Sequence, residues 1–304
     1  MRKSLIKQEN NQQISGTDFK NYFQPGSLKE ALEIRDKYKD KVNLVAGATD
    51  LFVQYNEKLH EIENWLDISR IEDLKKIEKK KKSIFIGPLV THLEIMKSDL
   101  INKYFSALSA AALDVGSPQI RSRGTIGGNI CTSSPAGDLL APLLAYEAKF
   151  HLSSQKESRI VESDKFFTGP KKNILKDNEL LTGIEIPISD SEVYSYWEKI
   201  GRRKALVIST LTLSLVLEFE DDLIKRAGLA MGSVAPVPKR LNIIEEKMLE
   251  KKLSQLNYQK LAEEVKNSIS PIDDLRGTKE YREDVAADIM INALEKIEKE
   301  RVSG

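Results

Sequence analysis

The sequence contains a single cysteine, Cys131, among 304 residues. One thiol cannot form a disulfide within the chain, and it cannot supply the four thiolates of an iron–sulfur cluster. An excess of charge of one sign is also absent, since 47 Lys and Arg residues face 46 Asp and Glu residues and the formal net charge is +1. The chain as a whole therefore has no electrostatic attraction for nucleic acid or for a membrane surface.

Long apolar runs are missing as well. No run approaches the roughly 18 residues of a membrane span, and the polar N-terminus lacks the apolar core of a signal peptide. We therefore expect no membrane span, no nucleic-acid partner and a cytoplasmic location. Asn, Gln and Lys dominate residues 1–18, a composition with little to bury, which predicts a flexible N-terminal arm.

The rest of the chain has the patterns of a globular protein of about two domains. Ser27 followed by Glu30 is a capping pattern, and it predicts a helix that ends near Asp40. The other predicted elements are short strands at 42–46, 65–68 and 83–87, an Ala- and Leu-rich helix at 103–115, strands within 194–220, and helices at 241–256 and 284–300. A polar break at 188–192 predicts a boundary between domains at 19–190 and 191–304.

Two segments of small residues stand out. The first is Val45–Leu51, directly after a predicted strand, and the second is Gly124–Asn129, which is followed by a turn at Ser133–Asp138. Small residues let backbone N–H groups approach a ligand, and successive N–H groups in a turn can form an anion-binding nest. Each segment alone indicates a tight structural turn rather than a cofactor site, whereas the two together make a shared pyrophosphate site an equal alternative.

Neither segment fits the motifs of the common nucleotide folds. Both lack the pattern GxGxxG, and neither has the Lys-Ser/Thr pair of a phosphate-binding loop. The sequence therefore excludes the standard dinucleotide-binding fold and the P-loop hydrolases.

The order of motifs along the chain resembles the FAD-binding subunit of molybdenum hydroxylases, the xanthine dehydrogenase and carbon monoxide dehydrogenase group. The resemblance covers about residues 19–300. It rests on FKNYFQPGSLKEAL, LVAGATDL, WLDISRIEDLKKI, IFIGPLVTHLEI, SPQIRSRGTIGGNICTSSPAGDLLAPLLA, FFTGPKKNIL, LLTGIEIP and DLRGTKEYRED. The TIGGN motif with its downstream SPxxD is the most specific of these.

The resemblance implies an α+β fold. It consists of an FAD-binding domain of two subdomains, of the PCMH type and similar to vanillyl-alcohol oxidase, followed by a smaller α+β C-terminal domain of the CO dehydrogenase flavoprotein type. The activity implied is that of an oxidoreductase subunit. FAD is the implied cofactor, with a large molybdopterin-binding subunit and a small [2Fe–2S] subunit as partners. Electrons would leave the FAD to NAD or to a ferredoxin-like acceptor.

The resemblance also assigns site residues. Small-residue turns would hold the pyrophosphate and ribityl chain, Asp138 would accept hydrogen bonds from FAD hydroxyls, and Lys199 would offset negative charge on the cofactor. The full implied set is Val45, Ala46, Gly47, Ala48, Thr49, Asp50, Leu51, Val115, Thr125, Ile126, Gly127, Gly128, Asn129, Ser134, Asp138, Leu181, Ile186 and Lys199. No residue is assigned a catalytic role, and no metal site is expected.

Among several departures from the family pattern, which include Ser122 and Pro170, two bear on the cofactor site. Ala48 stands where a second glycine is common, and a positive φ is costly for alanine. Val207 replaces an acid near the expected flavin edge. Loss of that acid makes the local potential more positive and leaves the identity of the electron acceptor open between NAD and a ferredoxin-like protein.

Other chemistry-bearing residues fit structural roles more simply. The three histidines His60, His92 and His151 have no metal-ligand spacing. Cys131 is interpreted as a small buried hydrophobe, with redox reactivity as the alternative. The lysine-rich segment 75–82 is interpreted as a solvated turn, with an anion or partner site as the alternative.

Three functions remain compatible with the sequence. The first is the electron-transfer subunit just described. The second is a stand-alone flavin oxidoreductase of the same fold, such as a sugar-nucleotide reductase or an alcohol oxidase, which would carry its own substrate acid or base. The third is a scaffold subunit that has kept the fold and lost the flavin.

Overall fold

A computed structural model describes residues 21–57, 64–202 and 208–303. The predicted arm at 1–18 and the departure at Val207 lie outside the described residues, as does His60. No helix in the described parts is long and apolar enough to cross a membrane.

The N-terminal part forms a small parallel sheet flanked by helices. Its elements are β1 (Asn21–Phe23), α1 (Leu28–Tyr38), β2 (Asn43–Val45), α2 (Leu51–Asn56) and β3 (Asn64–Asp67). The strand order is β1-β3-β2, with β3 parallel to both neighbours. Helix α1 begins as predicted, because the Ser27 hydroxyl accepts the Glu30 N–H, and it buries Ala31 and Leu32 against the sheet.

The central part combines an antiparallel sheet with six helices. Its elements are β4 (Ile77–Lys79), β5 (Ser83–Ile86), α3 (His92–Lys97), α4 (Asp99–Tyr104), α5 (Ser106–Leu113), α6 (Pro118–Arg121), α7 (Ile126–Thr132), α8 (Leu140–Ala145), β6 (Lys149–Ser153), β7 (Ser158–Glu162), β8 (Phe167–Gly169), β9 (Lys172–Asn173) and β10 (Leu180–Pro187). The five-stranded sheet has the order β4-β5-β10-β6-β7. Its buried residues join those of α5, α7 and α8 in the largest core of the protein.

The C-terminal part is a four-stranded antiparallel sheet covered by three helices. Its elements are β11 (Glu192–Ile200), β12 (Leu211–Glu220), β13 (Leu223–Gly232), β14 (Lys239–Arg240), α9 (Asn242–Met248), α10 (Tyr258–Ser268) and α11 (Lys279–Ser303). Strand β12 is buried on both faces. Leu213 and Leu215 pack against the C-terminal helices, whereas Val216 packs into the central core. This sheet is therefore fixed against helix α8 of the central part.

Four predictions differ from the structure. The single helix predicted at 103–115 is interrupted at Phe105, which separates α4 from α5. The lysine-rich segment 75–82 is only partly a turn, because β4 pairs with β5 and Ile77 packs on the central core. The helix predicted at 241–256 ends at Met248, since Leu249 is extended and Glu250 has a φ of 58°. The small-residue segment 124–129, interpreted as a turn, lies largely in helix α7, which begins at the side-chain cap Thr125.

Candidate functional site

A cleft of about 730 Å³ lies between the small parallel sheet and helix α7. Its wall begins at the turn that follows β2 and continues through the segments before α3, α6 and α7. One residue of β10, Leu181, and one residue of the C-terminal part, Ile208, complete the wall. All three parts of the fold thus meet at this cleft.

The turn after β2, residues 46–50, offers free backbone donors. The N–H groups of Gly47, Ala48, Thr49 and Asp50 donate to no acceptor in the part of the chain that the structure describes. Ala48 has a φ of 62°, in the left-handed region. Successive N–H groups around a left-handed residue form the concave nest that binds anions. The structure therefore adopts a positive φ at Ala48 despite the side chain, and the sequence departure does not remove the turn.

The glycine-rich segment 124–129 is built differently from the sequence expectation. Thr125 caps α7, and its hydroxyl accepts the Gly128 N–H at 3.0 Å. The N–H groups of Ile126 and Gly127 donate to the carbonyls of Val90 and Pro88, each at 2.9 Å. The backbone donors expected to face a ligand are thus already used within the protein, and this segment supplies side chains and a small-residue surface instead.

The two segments come together, as the sequence predicted. A Cβ on Gly47 would lie 1.9 Å from the Arg123 carbonyl oxygen, directly before the second segment. The Thr132 hydroxyl at the end of α7 lies 3.5 Å from a carboxylate oxygen of Asp50. Glycine is needed at position 47 because the two backbones touch there.

Gly127 and Gly128 have different roles in this contact. A Cβ on Gly127 would lie 2.5 Å from the Pro88 Cβ and 2.6 Å from its carbonyl oxygen, so this glycine is needed for packing. A Cβ on Gly128 would meet only the Thr125 hydroxyl, at 3.1 Å. Gly128 lines the cleft, and it is the glycine of this pair at which added bulk extends into the ligand space.

Two buried side-chain oxygens in the cleft wall lack a partner among the described residues. They are Asn129 Oδ1 and Asp138 Oδ1. A buried acceptor left without a hydrogen bond costs about 1–3 kcal/mol. Hydrogen-bond donors on a ligand in the cleft would satisfy both oxygens, and the hydroxyl-rich ribityl and ribose groups of FAD carry such donors. On this observation the residues present fit FAD.

Asp138 is the buried carboxylate of the cleft wall, with 8% of its surface exposed. Its Oδ2 accepts a hydrogen bond from Lys199 Nζ at 2.7 Å. Burial raises the pKa of Asp138 to about 6, and the ammonium of Lys199 opposes this rise. Lys199 also donates to the Asp114 carbonyl at 2.9 Å, so its ammonium is held behind the carboxylate.

Most of the residues predicted from the sequence line this cleft. They are Ala46, Gly47, Thr49, Asp50, Leu51, Val115, Thr125, Gly127, Gly128, Asn129, Ser134, Asp138 and Leu181. Five others do not line it. Ile126 and Ile186 are fully buried in the central core, Val45 packs against Trp65, Ala48 belongs to the turn without lining the cleft, and Lys199 reaches it only through Asp138.

Sequence reasoning missed several lining residues, most notably His92. This side chain is only 3% exposed, its Nδ1 has no partner among the described residues, and burial lowers its pKa to about 4. The imidazole is therefore neutral at physiological pH. Its signal in the sequence was its place in the VTHLEI motif, after the helix cap Thr91, rather than any metal-ligand spacing.

Cys131 lines the cleft from helix α7. The residue is half-buried, and burial raises the pKa of its thiol to about 12. A thiol with such a pKa stays protonated at neutral pH, which favours the small-hydrophobe interpretation over redox reactivity. Within the described residues, no group of three or more His, Cys, Asp or Glu side chains is placed to hold a metal ion.

Comparison with known proteins identifies the class. Residues 16–189 match the family model described as the FAD binding domain in molybdopterin dehydrogenase, and residues 196–297 match that of the CO dehydrogenase flavoprotein C-terminal domain. The chain belongs to this family of FAD-binding subunits of molybdopterin dehydrogenases.

Individual relatives agree with the family assignment. The chain is 32% identical to the nicotinate dehydrogenase FAD-subunit of Eubacterium barkeri over 75% of this chain and 79% of the relative. It is 29% identical to the xanthine dehydrogenase FAD-binding subunit of Escherichia coli O157:H7 over 87% and 91%. In the solved carbon monoxide dehydrogenase from Hydrogenophaga pseudoflava, a chain superposes with a TM-score of 0.87 at 27% identity, over 91% of this chain and 96% of that one.

These findings confirm three predictions from the sequence. The fold is α+β, with an FAD-binding domain followed by a C-terminal domain of the CO dehydrogenase flavoprotein type. The protein is an oxidoreductase subunit of the molybdenum hydroxylase family. Its cofactor class is FAD.

Proposed function

We propose that this chain holds FAD in the cleft and passes electrons from [2Fe–2S] clusters on a partner chain to NAD or another acceptor. The observation that carries the proposal is the pair of buried, unpartnered oxygens, Asn129 Oδ1 and Asp138 Oδ1, in the cleft wall. In this proposal FAD hydroxyls donate to both oxygens. The pyrophosphate lies on the free N–H groups of the turn 46–50.

The other site residues proposed from the family resemblance act around this arrangement. Thr49, Thr125 and Ser134 bring hydroxyls to the cleft, and Val115 and Leu181 give apolar contact. Ile126 and Ile186 act from the core, by holding α7 and β10 in place. Lys199 keeps the Asp138 carboxylate charged and oriented through its ammonium.

FAD supplies the redox chemistry when bound, and the protein supplies binding, orientation and electrostatics. The apolar side chains Leu44, Ile68 and Leu89 exclude water from one side of the cleft. Asp138 accepts hydrogen bonds best in its ionised form, because a charged acceptor makes stronger hydrogen bonds than a neutral one.

The cysteine count supports a subunit rather than a complete enzyme. A chain with one cysteine cannot hold an iron–sulfur cluster of its own. We infer a large molybdopterin-binding partner and a small [2Fe–2S] partner, assembled as pairs of trimers. The domain limits 1–18, 19–190 and 191–304 remain proposals, as does a cytoplasmic location.

Glycine variants test the FAD site. We expect Gly128→Val to lose most of its FAD, because the added side chain extends into the ligand space. Gly26→Val is the matched control, since a Cβ there has nothing within 4 Å and Gly26 does not line the cleft. FAD content is measured in acid extracts of both proteins after circular dichroism has shown that they are folded. Full FAD content in the Gly128 variant would place the cofactor elsewhere.

Purification from the native source tests the partner chains. An affinity-tagged chain should retain two other polypeptides together with molybdenum and iron, and metal and flavin analysis of the eluate measures this. Recovery of an isolated monomer under gentle conditions would contradict the subunit assignment.

The acceptor is tested on the reduced complex. Anaerobic reoxidation with NAD and with ferredoxin at equal concentration compares the two acceptors directly. Rapid NADH formation without ferredoxin reduction would identify NAD as the acceptor. It would also show that the loss of the acid at Val207 does not favour a ferredoxin-like acceptor.

A further inference from the structure

An ion cluster with a buried arginine at its centre lies in the C-terminal part of the fold. It consists of Asp274, Arg276 and Arg282, which we call the arginine cluster. Arg282 is 1% exposed and donates from Nη2 to Asp274 Oδ1 at 2.6 Å. Arg276 donates from Nε to the other oxygen, Asp274 Oδ2, at 2.9 Å. One carboxylate thus orients two guanidinium groups, which suits the planar geometry of arginine.

The arginine cluster binds backbone carbonyls of two separate segments. Arg282 Nη1 donates to the Thr210 carbonyl at 2.7 Å and to the Ser233 carbonyl at 2.9 Å. Arg276 Nη1 donates to the Ser209 carbonyl at 3.3 Å. The cluster therefore fixes the backbone at the start of β12 and directly after β13.

Both of these segments continue to the cleft. The Ser209 hydroxyl donates to the Ala136 carbonyl at 3.3 Å, and the Ser233 N–H donates to the Pro135 carbonyl at 2.8 Å. Ala136 lines the cleft within the turn 134–138, which also carries Asp138. Ile208, next to Ser209, lines the cleft as well. A continuous chain of hydrogen bonds thus runs from the arginine cluster to the cleft wall.

The chemistry of the arginine cluster indicates a positioning role. A buried ion pair is often no more stabilising than apolar residues of the same volume. Arg282 Nε is also buried and has no partner among the described residues, an arrangement that costs stability. What the cluster provides is fixed geometry, because three directional hydrogen bonds hold backbone carbonyls in two segments that contact the cleft wall.

We propose that the arginine cluster is a positioning unit for FAD, which sets the place of Ile208 and of the turn 134–138 against the bound cofactor. This inference rests on the proposed function of the cleft. Asp274, Arg276 and Arg282 do not line the cleft and act through Ser209 and Ser233.

Two mild variants test the positioning role. Arg276→Lys keeps the charge but loses the planar donor geometry, and Ser209→Ala removes the hydroxyl that bonds to Ala136. Arg282 is too deeply buried to be a safe first choice. Arg301→Lys is the matched control, because Arg301 stacks on Phe219 and pairs with acids far from the cleft. The FAD dissociation constant, the midpoint potential of the bound flavin and the thermal midpoint are measured in the full chain.

Loss of one positioning hydrogen bond should raise the FAD dissociation constant about fivefold in both variants, with a shifted flavin midpoint potential. The control should bind FAD like the wild type. A purely structural role would lower the thermal midpoint and leave the potential unchanged. If the wild type binds FAD and both variants keep its affinity and potential, this inference alone is overturned. If the wild type binds no FAD, the proposed function is overturned and this inference with it.

Discussion

Asp138 and Lys199 form a buried ion pair at 2.7 Å that joins the two segments matched by separate family models. Asp138 comes from the turn before α8, and Lys199 comes from β11. One carboxylate oxygen has no hydrogen-bond partner among the described residues, and the other accepts a hydrogen bond from the ammonium. The C-terminal part of the fold thereby acts on the cleft without lining it at this point.

The raised pKa of Asp138 predicts a pH-dependent stability in the FAD-free protein. The folded-state pKa of about 6 exceeds the ordinary value of 3.8, so the folded state binds this proton more tightly than the unfolded state. Stability should therefore fall as the pH rises from 4 to 7, by about 2 kcal/mol relative to Asp138→Asn. Urea denaturation across this range measures the difference. Parallel pH profiles of the wild type and the variant would contradict it, and Asp190→Asn, at an exposed position, serves as the control.

The same carboxylate predicts a pH-dependent affinity for FAD. Ionised Asp138 accepts hydroxyl donors more strongly than the neutral acid, so FAD should bind more weakly as the pH falls below about 6. Asp138→Asn should bind FAD about tenfold more weakly at pH 8 and lose most of this pH dependence. Fluorescence titration of the FAD-free protein measures both effects. Equal affinities of the variant and the wild type at pH 8 would remove Asp138 from the site.

The positive φ of Ala48 predicts that glycine at this position stabilises the protein. The φ of 62° is unfavourable for an L-residue with a side chain, whereas glycine adopts this angle without a penalty. Ala48→Gly should raise the free energy of unfolding by about 1 kcal/mol. Ala287→Gly, within the long helix α11, should lower it by about the same amount. A destabilised Ala48 variant in urea denaturation would show that the turn does not adopt this conformation.

The raised pKa of Cys131 predicts that its thiol reacts slowly. Because the pKa of Cys131 is about 12, only a very small fraction of it is thiolate at pH 8. Its reaction with an aromatic disulfide should therefore be on the order of 1,000-fold slower than that of a free thiol. The assay is direct, because the chain has no other cysteine. A rate near that of free cysteine would favour the redox alternative.

Much of the fold and of the site was predictable because its signals are local. Ser27 with Glu30 is a capping pattern that the sequence displays, and the short strands before the turns follow from apolar runs. The segment 124–129 was misread as a turn, since its glycines disfavour a helix, and the helix there depends on the Thr125 cap and on packing against Pro88.

The remaining site residues depend on tertiary contacts. His92 enters the cleft wall because α3 begins where the Gly124 carbonyl accepts the His92 N–H, a long-range contact without a sequence period. Lys199, which was expected to approach the cofactor, pairs with Asp138 and does not line the cleft. The arginine cluster was visible only as part of the motif DLRGTKEYRED, and its link to the cleft requires the packed structure.

The FAD content of the purified chain tests the central claim most directly. Acid extraction and absorbance should give about one non-covalently bound FAD per chain, in keeping with the large cleft at which all three parts of the described fold meet. A pure, folded and colourless protein that releases no FAD, and that takes up none on titration, would contradict the account.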